Sequence, residues 1–203
     1  MVSMKTSITS IFLTFSLSFG IAQADTPAIS FNSLAGNLSG SNWNLGFEFQ
    51  ANSNVDVTKL GSLTAGVSSS PVEIGLWDSS GNLLASASVT KSSPVLNQFS
   101  YAAITPVELK AGSDYYVASV GYTNYGAGAI GATTAPQITY IKDAWNYNGS
   151  SLAFPFKSNN FNLSNAGIFG ANLQISAVPE AQEWAMMLLG LPLVGWVVRR
   201  KQS

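Results

Sequence analysis

Between residues 46 and 175 the chain is a succession of short segments in which apolar and polar residues alternate or β-forming residues predominate, with no helical stretch between them. These are residues 46–50, 55–60, 72–77, 83–89, 99–104, 115–122 and 168–175. A period of two sends alternate side chains to opposite faces, so each segment reads as a half-buried strand. Short strands in series predict an all-β fold, an antiparallel β-sandwich of the jelly-roll or immunoglobulin-like kind. Val72, Ile74 and Leu76 share one face and Trp77 falls on the other. Asp78-Ser79-Ser80-Gly81 predicts a hairpin, with Asp78 capping its own turn and Gly81 free to take a positive φ. Residues 110–114 form a second turn, and Pro106 sits between two short strands where an amide donor can be spared. No internal repeat is present.

Both ends differ from this body. Residues 1–24 read as a secretory signal peptide, with Lys5 as the basic region, an apolar stretch from Ile8 to Ile21, and Ala22-Gln23-Ala24 as a cleavage site before Asp25. The other end has Val178-Pro179-Glu180, an apolar run at 184–198, and the basic cluster Arg199-Arg200-Lys201. As a helix that run of 15 residues reaches roughly 22 Å, against a hydrocarbon core of about 30 Å. Snorkelling of the terminal cations closes part of the gap, Trp184 and Trp196 suit the two interfaces, and Pro192 weakens the helix. The expectation is a short C-terminal hydrophobic helix with its basic tail left in the cytoplasm.

A Pro-Glu motif, a short span and an Arg-rich terminus, in that order over residues 178–203, resemble the PEP-CTERM sorting signal of exosortase substrates. The resemblance implies processing by signal peptidase and exosortase, transient residence in the inner membrane, and delivery to the cell surface or extracellular matrix. Ala181 stands where that family usually has a second Pro. The alternative is a simple C-terminal membrane anchor. Over residues 46 to 122 the order of strand motifs also resembles an extracellular β-sandwich domain of unknown function that recurs in PEP-CTERM proteins.

Composition narrows the chemistry. There is no Cys and no His, which excludes disulfides, thiolate nucleophiles, zinc sites built from those side chains, and triads with an imidazole base. Residues 25–178 carry five Lys, no Arg and eight acids, a net charge of −3, unsuited to nucleic acid. Among the acids only Glu48 and Glu73 suggest a glycosidase pair, and both alternate with apolar neighbours as solvent-facing strand residues do. Asp78 and Asn82 form too sparse a set for calcium, and the turn reading is preferred. No catalytic residue, metal ligand or cofactor site is assigned.

The positive signal is aromatic. Tyr122, Tyr125, Tyr140, Trp145 and Tyr147 occur in a Gly- and Asn-rich stretch with Asn124, Asn146 and Asn148. Exposed rings beside amides could stack on sugars and hydrogen-bond their hydroxyls. Buried, the same rings would pin a long loop to the edge of the sandwich. Together with the export and sorting that the PEP-CTERM resemblance implies, the expected role is a structural or adhesive protein of the exopolysaccharide or biofilm. The alternatives are a carbohydrate-binding module using the Tyr122 to Tyr147 loop and, more remotely, a glycoside hydrolase.

Overall fold

The computed structural model describes residues 24–40, 42–163 and 167–178. Ala24, Asp25 and Val178 fall within them; the rest of the leader with Ala22, the motif residues Pro179 and Glu180, the run 184–198, and Arg199, Arg200 and Lys201 lie outside the described residues. Among the described residues no helix is long and apolar enough to cross a membrane.

The described chain is all-β with antiparallel sheets. It enters through β1 (Thr26–Pro27), β2 (Ile29–Ser30) and β3 (Ser33–Ser39). Two long strands follow, β4 (Trp43–Ala51) and β5 (Val55–Leu63). A 3-10 turn at Thr64–Gly66 leads to the hairpin of β6 (Val72–Asp78) and β7 (Leu83–Val89). After β8 (Val95–Leu96) come β9 (Phe99–Leu109) and β10 (Asp114–Val120). The last group is β11 (Asn124–Ile130), β12 (Thr133–Thr134), β13 (Ile138–Tyr147), β14 (Ile168–Phe169) and β15 (Ala171–Ala177).

Two five-stranded sheets, ordered β1-β15-β5-β9-β8 and β13-β4-β10-β6-β7, enclose one core. The second sheet contributes Leu45, Phe47, Phe49, Ile74, Leu76 and Val117, and the first answers with Val55, Val57, Leu60, Phe99, Leu109, Leu173 and Ile175, all buried. The expected parity therefore holds: Val72, Ile74 and Leu76 face inward, while Trp77 pairs with Tyr116 on the outer face. At Gly46 the sheet admits no side chain, because a Cβ there would run into the Val117 carbonyl.

Three local features differ from expectation or refine it. Pro106 does not separate two strands: β9 runs through it, and the register against β5 slips between Val57 and Lys59, which leaves Pro106 in a bulge where no ladder bond is required. The chain at 123–147 is not a loop but carries β11 and β13. The N-terminal segment is held by Asn172, a buried side chain that accepts from Ile29 N at 3.1 Å and donates to Ile29 O at 2.8 Å, standing in for a strand neighbour.

The Asp78 turn forms as its residues predict. Asp78 Oδ1 accepts from the backbone N–H groups of Ser80 and Asn82, both at 2.9 Å; Oδ2 accepts from Asn82 Nδ2 at 2.8 Å, and Gly81 takes φ +85°. The Asn82 amide, followed by the Asn82 backbone, holds the Asp78 carboxyl below its ordinary value of 3.8. A depressed folded-state value means that the carboxylate favours folding above the unfolded value, and that this contribution fades as pH falls through the folded one. NMR titration should give Asp78 a midpoint below that of a model Asp, with the Ser80 and Asn82 amide signals moving at the same pH. A midpoint at or above the model value would contradict the turn chemistry.

Candidate functional site

Glycoside hydrolysis by a carboxylate pair requires two acids facing each other across a site. Glu48 lies on β4, buried, with Oε2 3.0 Å from Lys142 Nζ on β13. Glu73 lies on β6 and accepts from the Ser88 hydroxyl on β7. Glu48 is level with Tyr116 of β10 and Glu73 with Val120. Two sheet spacings across and four residues along put their backbones about 16 Å apart. Their partners draw them further apart, in opposite directions. A glycosidase pair needs about 5 to 9.5 Å between carboxyl groups, so Glu48 and Glu73 do not form one. Among the described residues no group of acids is placed to hold a metal ion.

The five aromatic residues singled out above separate into two sets. Tyr122 is completely buried, and its hydroxyl donates to the Trp43 carbonyl at 2.7 Å; burial raises its ionisation well above the ordinary tyrosine value. Tyr125, half-buried on β11, meets it edge to face at 5.8 Å. Tyr140 packs against Phe47 at 5.6 Å and donates to the Phe161 carbonyl at 3.2 Å. These three rings hold the structure together. The expectation that Tyr122 contributes to a surface platform is corrected, since no face of its ring reaches solvent.

Trp145 and Tyr147 belong to a different group, completed by two residues that the sequence did not single out. Tyr147 is level with Trp43 and Trp145 with Leu45 across the β13–β4 ladder, so all four side chains project from one face. Leu45 is buried, whereas Trp43 is 38% and Tyr147 58% exposed. The two strands thus outrun the core, and their last rings emerge into solvent. Trp43 meets Trp145 at 5.2 Å and Tyr147 at 4.9 Å between centroids, both edge to face at 67°, a geometry in which each ring supports the next. Phe156, 62% exposed, lies close by. Lys157 Nζ rests 5.1 Å from the Trp145 ring and 5.7 Å from that of Phe156.

Buried polar side chains fix this arrangement. Segment 148–163 lies against β4 and β13, and Asn44 of β4 grips it by donating to Ser151 O at 3.0 Å and accepting from Ala153 N at 2.8 Å. Asp143 of β13, fully buried, accepts from Ser158 Oγ at 3.0 Å, Asn159 N at 3.2 Å and Phe161 N at 2.9 Å. Between these clamps Trp145 and Lys157 exchange two backbone hydrogen bonds of 2.8 and 2.9 Å. Phe154 packs on Tyr116 at 4.9 Å and on Trp77 at 6.3 Å. The segment is anchored along its length, so the rings at its edge keep their positions.

The sequence offered a faint sign of Trp43, which opens the alternation Trp43, Leu45, Phe47, Phe49. Nothing in the local sequence marks Phe156, whose neighbours carry no strand pattern.

The protein is thus an all-β domain with an anchored, partly solvent-exposed aromatic cluster at one end of a sheet. It belongs to the family described as "Domain of unknown function (DUF4082)", which matches residues 32–165, about two thirds of the chain. No curated protein matches it.

Proposed function

We propose that this chain is an exported, exosortase-processed protein of the cell surface or extracellular matrix, with a structural or adhesive role in the exopolysaccharide or biofilm. The observation that carries the adhesive part is the anchored cluster of Trp43, Trp145, Tyr147 and Phe156, apolar surface left in solvent at the end of a well-packed body. The leader at 1–24 and the Pro-Glu motif, apolar run and basic tail of 178–203 support export and sorting. The fold that goes with this reading is a jelly roll. Counting β1, β4, β5, β6, β7, β9, β10 and β15 as strands one to eight, the sheets run one-eight-three-six and two-seven-four-five, with β13 added beside β4.

Intact-mass analysis of the natively expressed protein after cell fractionation tests the reading. The expected form begins at Asp25, ends near Glu180, and is found at the surface or in the matrix. A full-length form retained in the inner membrane would overturn the sorting and leave a simple anchor.

The second reading, a carbohydrate-binding module, is favoured by one specific observation: the exposed rings are held by strand register and buried clamps rather than by a free loop. Such preorganisation lowers the cost of binding a flexible polymer.

A further inference from the structure

Lys157 gives this aromatic cluster a sign of charge. Of the five lysines in the body, Lys59, Lys110 and Lys142 each face a carboxylate, at 2.8, 2.6 and 3.0 Å from Asp25, Glu108 and Glu48. Lys91 and Lys157 have no such partner among the described residues, and of these two it is the Lys157 ammonium group that rests over two aromatic rings. The backbone bridge to Trp145 and the Asp143 clamp on the next residues fix the main chain from which its side chain springs. Beneath it the indole N–H of Trp145 is a buried donor with no acceptor among the described residues. A cation, an unspent donor and stacking faces therefore meet at one place on a body whose net charge is otherwise negative.

We propose that the Trp43, Trp145, Tyr147 and Phe156 cluster with Lys157 binds an acidic polysaccharide, the sugar rings stacking on Tyr147 and Trp43 and a uronate carboxylate pairing with Lys157. This deepens the carbohydrate-binding reading and rests on it. A neutral glycan would use the rings and offer the ammonium group only hydroxyl and ring-oxygen acceptors. A carboxylate-bearing glycan uses both, and charge-assisted hydrogen bonds are about twice as strong as neutral ones. The pair is solvated, so its contribution is modest and screened by salt.

The test is isothermal titration of the natively expressed protein with polygalacturonate and alginate, each beside its carboxyl-reduced, neutral counterpart. The acidic polymers should bind roughly three- to tenfold more tightly than the reduced ones at low salt. Lys157→Gln should abolish that difference while Lys157→Arg keeps it, and added NaCl should narrow it. Circular dichroism of the variants checks that an exposed substitution leaves the fold in place. Equal affinity for acidic and reduced polymers, or an unchanged preference in Lys157→Gln, overturns the acidic assignment and leaves glycan binding standing. No binding to any of the four polymers overturns both.

Discussion

Replacing Asp143 with alanine is expected to lower the stability of the protein by about 2 to 4 kcal/mol, the range for removing one partner of a buried charged hydrogen-bonded group. The carboxylate is fully buried and takes three donors from the segment carrying Ser158, Asn159 and Phe161. Without it those donors have no acceptor in place, and the segment gains by moving out to water. Asp143→Asn keeps one acceptor oxygen and should lose about half as much. Urea unfolding gives the magnitude and hydrogen exchange gives the place: the Asn159 and Phe161 amides should lose protection while those of β4 and β10 keep theirs. Uniform loss across both sheets would mean that Asp143 supports the core rather than the segment. The effect reaches the surface cluster, since Phe156 and Lys157 precede the clamp directly.

The double substitution Trp43→Ala and Tyr147→Ala is expected to weaken retention on a bound polysaccharide by about 30-fold or more, roughly 2 kcal/mol, the loss typical of removing central aromatic anchors from a binding surface. Both rings are more than a third exposed but pack edge to face, so the variant should lose about 1 to 3 kcal/mol of stability and remain folded. Tyr122→Phe provides the contrast. It deletes only the buried bond to the Trp43 carbonyl, at a cost of about 1 kcal/mol in stability, and removes no surface ring. Affinity gels carrying the polysaccharide, read beside unfolding midpoints, separate the two effects. Unaltered retention of the double variant would move the binding surface elsewhere on the molecule.

How far each part was legible follows from which interactions decide it. The faces of β6 were readable because Val72, Ile74 and Leu76 alternate with polar or small residues, and burial on one side enforces that period. β3 and β11 were not readable. Their sequences, SLAGNLS and NYGAGAI, are rich in small residues and weak in β-formers, and the strands exist because they pair with each other from Ser33 to Ile130. β13 was hidden for a related reason: Lys142 and Asp143 break its alternation, and a register shift beside them lets one residue meet Glu48 while the other is buried as a clamp. The aromatic residues showed the sharpest division. Their number and spacing drew attention to Trp145 and Tyr147, but the same pattern also gathered Tyr122, which is completely buried.

The sequence by itself determined what local chemistry can enforce. It specified an all-β chain from period-two alternation, the turn at Asp78 from a side chain that caps its own backbone, and the exclusion of imidazole and thiolate chemistry from the absence of His and Cys. Tertiary structure alone decided which rings face solvent. Exposure of Trp43 depends on its pairing with Tyr147, 104 residues away, and on both strands running past the point where the opposing sheet still covers them. Burial is a property of what packs against a residue, and the packing partners of these rings come from strands and a clamped segment far along the chain.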